Sequence, residues 1–154
     1  MLEPFEAPAA IQQALLILDS YARVLGKPLL EAHGTPTERA RALYRAPFVV
    51  LSHGTAVDPV FNYGNLQAQQ LFEFDWESLT QLPSRLSAEP VNQAERQRLL
   101  ESVSSRGYID DYAGIRISRT GRRFRIERAT VWNLMDEAGH RQGQAATFAD
   151  WTPV

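Results

Sequence analysis

The sequence predicts an α+β chain, with an N-terminal helical segment, two short strands, a run of short helices and a closing meander of three strands. Three observations carry this reading. Tyr112 to Ser118, Arg123 to Met135 and Gln142 to Trp151 are rich in β-branched and aromatic residues and are separated by "RTGR" and "DEAGH", two glycine-containing hairpin turns. Phe48 to Leu51 and Pro59 to Tyr63 are shorter β-prone runs on either side of the turn-rich "SHGTAVD". Between the two groups the chain carries helix caps and prolines rather than strand alternation.

The elements follow in order. From Ala9 to Leu25, Ile11, Leu15, Leu18, Ala22 and Leu25 recur in a 4-3-4-3 spacing, with Ala14, Ile17, Tyr21 and Val24 widening the stripe. This predicts an amphipathic helix stopped near Gly26 and Pro28. Its apolar arc is wide enough to touch both its own domain and a partner helix, so Ile11, Leu15, Leu18, Ala22 and Leu25 are the interface candidates. The alternative is a helix packed only on its own core. Thr35 and Glu38 form a capping box with Pro36 at the first helical position, and the helix they open ends before Pro47. Asn65 is the cap expected for a helix from Leu66 to Phe74, and a shorter helix follows Asp75 and ends by Pro83. Asn92 and Glu95 give another cap signal, followed by Leu99, Leu100 and Val103 at helical spacing and Gly107 as terminator.

Composition narrows the function classes. A chain of 154 residues with 44% hydrophobic content can build one globular domain. It contains no apolar run of 18 residues and opens on Met1, Leu2, Glu3 and Pro4, so neither a membrane span nor a secretion signal is expected, and the expected location is cytoplasmic. The absence of cysteine removes disulfides, thiolate metal sites and a cysteine nucleophile. His33, His53 and His140 form no close pair, so no metal site is expected. The net charge of −2 hides an uneven distribution. Asp58, Glu73, Asp75 and Glu77 accumulate in a stretch without arginine or lysine, whereas Arg116, Arg119, Arg122, Arg123, Arg125 and Arg128 cluster around one hairpin. Few aromatics interleave with these arginines, so nucleic acid is not an expected partner. The cluster reads as a solvated face, or as one that meets the acidic stretch of another chain.

The order of two strands, several helices and three strands is similar to the PAS fold, a five-stranded antiparallel sheet with helices on one face. The wording is more specific. "FNYGNLQAQQLFEFDWESLTQLPSRLSAEP", "YAGIRISRTGRRFRIERATVWNL", "DEAG" and "GQAATFADW" resemble the MEKHLA domain, a PAS-related family of bacterial proteins and of certain plant homeodomain–leucine-zipper regulators. The resemblance covers Ala14 to Trp151. It implies a PAS-like domain over residues 47–154 behind a two-helix N-terminal extension, 1–46. It further implies small-molecule, light or redox sensing, or dimerisation, without choosing among them. Light-sensing flavin relatives rely on a cysteine, which this chain lacks, and haem-binding relatives commonly use a histidine on the long helix before the third strand, where Gln93 to Ser105 has none. No cofactor is expected, and in the absence of a catalytic motif no enzymatic activity. The chain stops three residues beyond Trp151, so it is expected to act as a stand-alone sensory module through self-association or a partner protein.

The candidate site is a pocket between sheet and helices, where a concave sheet leaves room for a small molecule. On the last strand Gln144, Ala146, Phe148 and Asp150 alternate with Ala145, Thr147, Ala149 and Trp151. Small inward side chains leave space, although alanines equally let a helix approach. Alternation sends Trp132 and Asn133 to opposite faces, so only one can face the core unless a bulge intervenes, and Phe124, Ile126, Thr130, Trp132 and Leu134 read as the apolar face of the longest strand, interrupted by Arg128. The pocket candidates are therefore His53, Tyr63, Trp132, Gln144, Ala146 and Phe148. His53 is read either as a ligand contact at the sheet rim or as a turn residue with a local hydrogen bond. Asp58, His53 and Asp150 are the conceivable acid–base groups, but nothing in their spacing brings them together.

Overall fold

The computed structural model describes residues 3–91 and 93–154. Helix α1 (Pro8–Leu25) has proline in its first turn and stops at Gly26, whose φ of 75° is left-handed. Helix α2 (Pro36–Tyr44) opens on the expected capping box, in which Glu38 N donates to Thr35 Oγ1 at 3.1 Å and Thr35 N to Glu38 Oε1 at 3.2 Å. Strands β1 (Val49–His53) and β2 (Phe61–Gly64) are followed by α3 (Leu66–Phe72), which ends two residues before the expected limit because Glu73 turns left-handed, with φ 64°. The short α4 (Trp76–Leu79) and a single turn over Ser84–Ser87 lead to α5 (Gln93–Arg106). The cap proposed at Asn92 lies outside the described residues. Strands β3 (Tyr108–Ile117), β4 (Arg123–Met135), β5 (Arg141–Phe148) and β6 (Asp150–Pro153) complete the chain.

All pairs are antiparallel, in the order β2-β1-β5-β4-β3, and β6 returns beside the first half of β4. The sheet has helices on both faces. Against one, the inner face, pack α3, α5 and Leu79 of α4, enclosing Val49, Leu51, Phe61, Phe72, Val103, Ile109, Phe124, Ile126, Val131 and Phe148. The N-terminal helices cover the outer face, where Ile17, Leu18, Tyr21, Leu43 and Tyr44 meet Val50, Tyr63, Trp132, Leu134 and Ala145. Among the described residues no helix is long and apolar enough to cross a membrane.

Two departures from simple alternation decide which side chain serves which face. In β2, Ser52 pairs with Tyr63 but His53 with Phe61, so Asn62 is bulged out between them. Phe61 therefore points inward and Tyr63 outward, although both have odd numbers. In β4, Arg128 takes φ 51°, a left-handed conformation few non-glycine residues adopt, and the β3–β4 pairing slips around it. Phe124 and Ile126 face inward before it, Ala129 and Val131 after it, and Trp132 and Leu134 are thrown to the outer face. The single apolar face expected for β4 is thus split between both cores. The last strand breaks in the same way at Ala149, so Trp151 packs beside Phe148 while Asp150 is exposed and pairs with Arg128 at 2.9 Å.

Asn65 ties the two layers together. Its Oδ1 accepts from Val50 N and Ala68 N, each at 3.1 Å, and its Nδ2 donates to the carbonyls of Leu43 and Phe48 at 3.2 and 2.8 Å. One buried amide thus caps α3, extends the end of β1 and holds the last turn of α2. Gly143 has a comparable role at the β1–β5 contact, because a Cβ there would lie 2.1 Å from the carbonyl oxygen of His53.

Candidate functional site

The inner face is not filled completely. A cavity of about 220 Å³ remains between β1, β5, β4 and β3 on one side and the 84–87 turn with α5 on the other. Leu51, Phe61, Leu99, Val131, Ala146 and Phe148 give it an apolar middle. Polar residues also line it: His53 and Gln144, paired across β1 and β5, Ser84 and Ser87 on the covering turn, and Tyr112 and Arg116 on β3, at the far edge of the sheet from β2. No carboxylate is among the lining residues.

Four of the expected pocket residues, His53, Gln144, Ala146 and Phe148, line this space. The other two do not. Tyr63 and Trp132 are fully buried in the outer core, delivered there by the bulges at Asn62 and Arg128. Each also buries a polar atom without a partner among the described residues, the Tyr63 hydroxyl and the Trp132 Nε1. Burial pushes the Tyr63 phenol well above its usual range, so it stays neutral.

His53 Nδ1 lies 2.9 Å from the carbonyl oxygen of Gly54. A carbonyl only accepts, so Nδ1 carries the proton and Nε2 is the free acceptor of the neutral ring. Burial lowers the His53 pKa; the bond to Gly54 opposes this in part and nearby Arg141 adds a smaller lowering, so the ring stays neutral near pH 7. The histidine therefore makes the local turn bond and lines the cavity at once.

The MEKHLA domain model matches residues 11–153. The chain belongs to the MEKHLA domain family. Solved structures similar to this MEKHLA chain include the PAS domain of a protein from Colwellia psychrerythraea, at 13% identity over 76% of this chain and 94% of that one, with a TM-score of 0.61. An RNA-binding light-oxygen-voltage receptor matches at 18% identity over 82% of this chain and 35% of its own, with a TM-score of 0.63. A light-oxygen-voltage domain studied with a flavin analogue matches at 14% identity over 75% of this chain and 83% of that one, with a TM-score of 0.56. At such identities the likeness speaks for a PAS-like fold alone. No curated protein matches the sequence.

In the MEKHLA chain the arginine cluster is mostly spent within the molecule. Arg122 pairs with Glu73, Arg123 with Glu89, Arg125 with Glu127 and Arg128 with Asp150, and Arg119 lies over the Phe74 ring at 5.7 Å. Glu73 also accepts from Ser118 and Thr120, and Asp58 is taken by Arg85, so two of the acidic residues expected to meet another chain are already engaged in this one. Arg116 differs. It sits opposite Phe124 on the inner face and, among the described residues, its side chain has no hydrogen bond or ion pair. Burial lowers its pKa and the nearby Tyr112 opposes that only weakly. Sequence reading placed Arg116 with its neighbours on a solvated face. The available signal was its even spacing from Tyr112 and Gly114, which alternation assigns to one face.

The proposed interface row on α1 is also redistributed. The sheet takes the row one residue earlier, Ala10, Ala14, Ile17 and Tyr21, and Leu18 is buried with it. Ile11 and Leu25 pack against the same core, which leaves only half-buried Leu15 and exposed Ala22 outside it. The physical reason is the small pair Ser52 and Ala145 between Tyr63 and Trp132, a trough that α1 fills with its own small side chains.

Proposed function

We propose that this chain is a sensory domain that binds a small molecule in the cavity on the inner face and passes the occupied state to a partner protein or a second copy. The observation that carries this reading is that Tyr112, Arg116 and Gln144 line a largely apolar space without side-chain partners among the described residues. Tyr112 is buried and Arg116 and Gln144 are half-buried; polar groups withdrawn from water are normally hydrogen-bonded, and a site that leaves them open suits a ligand.

The size of the space constrains the ligand. A cavity of ~150 Å³ accommodates benzene. On that scale about 220 Å³ suits roughly nine non-hydrogen atoms, too few for the fused three-ring system of a flavin. The chain also lacks cysteine, the residue that light-sensing flavin relatives among PAS domains rely on. A catalytic reading is less well supported, because no carboxylate lines the cavity and His53 already donates to Gly54. Native mass spectrometry against denatured mass, followed by a thermal-shift screen of small metabolites, tests the proposal. A retained mass or a stabilising metabolite is the expected result. A bare mass with no stabilisation across acids, amides and neutral aromatics would count decisively against it.

A further inference from the structure

Resting on the reading of the cavity as a ligand site, we propose that its ligand is a small organic carboxylate of about nine non-hydrogen atoms, held through Arg116 at the β3 end. The argument begins with the fate of the arginines. Of the six around the β3–β4 hairpin, four are ion-paired and one is stacked on an aromatic ring, all within this chain. Arg116 alone is turned to the inner face and has no counter-charge among the described residues. Arg116 is half-buried, and a guanidinium drawn even partly out of water without an anion is costly and cannot escape by losing its proton. An anionic ligand supplies what the fold omits.

The surroundings specify the anion further. Tyr112 is 5% exposed, lines the same space and has a hydroxyl without a partner among the described residues, so it is a second donor beside Arg116. A planar carboxylate matches the forked donors of a guanidinium and can accept the phenol as well. The apolar middle, with Leu51, Val131 and Phe148, suits a hydrophobic body rather than a second charge. At the other margin, neutral His53 has Nε2 as an acceptor and Gln144 an unpaired amide, a pair that accommodates a hydroxyl or carbonyl on the ligand's far end. A groove of about 550 Å³ adjoins the cavity through the shared residues Leu99, Tyr112 and Arg116. Arg96 stands on its wall, while its other charged residues are already taken within the chain, Arg85 by Asp58 and Glu89 by Arg123.

Benzoate, benzamide and toluene are the probes that separate the possibilities. Each is titrated into the full chain while amide resonances of Leu51, Val131 and Ala146 are followed. Benzoate is expected to bind at least tenfold more tightly than benzamide or toluene. Arg116→Gln should erase that preference, weakening benzoate at least tenfold and changing benzamide less than twofold. Arg116→Lys should restore part of the preference, and Ala146→Leu, which fills the space, should abolish binding of all three. The amide spectrum of each variant reports whether it is folded. Should Arg116→Gln fail to fold, the preference of the unaltered chain and its loss at high salt decide the matter. Equal binding of benzoate and benzamide would overturn the carboxylate assignment while leaving the cavity a ligand site. If none of the three moves the cavity resonances, both the assignment and the ligand-site reading fall.

Discussion

The two faces of one sheet behave differently. On the outer face, Ser52 and Ala145 form a shallow row between Tyr63 and Trp132, and an 18-residue helix lies in it with Ala10, Ala14 and Ile17 turned down. On the inner face the neighbouring Ala146 is equally small, yet what lies above is one short turn and the edge of α5, of which only Val103 is buried. The same residue type thus yields close packing on one side and empty volume on the other. Alanine creates space, and the opposing layer decides whether that space is filled.

The sharpest break of the outer layer is Trp132→Ala, which should cost about 3–5 kcal/mol through loss of a fully buried ring. Urea denaturation measures it. Trp132→Phe should cost far less than the alanine change, since the indole N–H is unpaired and its removal leaves no donor stranded. Asn65→Ala comes next, at about 2–4 kcal/mol, because it removes a helix cap and strands the buried Val50 N–H in one step. A loss under about 0.5 kcal/mol would show that water replaces the amide.

Adjacent residues sharpen the comparison itself. Ala145→Leu forces a larger side chain under α1 and should cost about 1–3 kcal/mol. Ala146→Leu enters the cavity and should lie within about 1 kcal/mol of the unaltered chain on either side of zero. Equal losses in the two variants, measured by the same denaturation, would mean that the inner face is as full as the outer. The smallest effect expected is that of His53. Its folded pKa is lowered by burial, so the unfolded chain binds its proton more readily. The stability that neutral His53 contributes is complete above its unfolded pKa of about 6.5 and is lost as pH falls through the lower folded value. Titration of its ring proton by NMR should give a midpoint below that of a free histidine, and a midpoint at or above it would contradict the burial assigned to this ring.

Much of this is legible in the sequence. Thr35 and Glu38, Asn65 and Asp75 all act as the caps their spacing suggested, and the "RTGR" and "DEAGH" turns lie between the strands they were expected to join. Of the candidate pocket, the alternation of Gln144, Ala146 and Phe148 was legible, because β5 is regular from Gln144 to Phe148. Trp132 and Tyr63 were misread for one shared reason. A bulge inserts a residue whose position depends on the partner strand, and every side chain beyond it changes face. The apolar sequence of β4 contained one hint, since Arg128 interrupts it where the backbone turns left-handed.

The amino-acid sequence by itself determined the elements, their caps and turns, and the family, because these depend on contacts a few residues apart and on wording. It did not determine the face served by Tyr63, Trp132 and Arg116, the row of α1 that meets the sheet, or the unfilled volume beneath β5. Those were decided by the tertiary structure, because facing is set by register across strands, and a cavity belongs to two opposed layers rather than to any one segment.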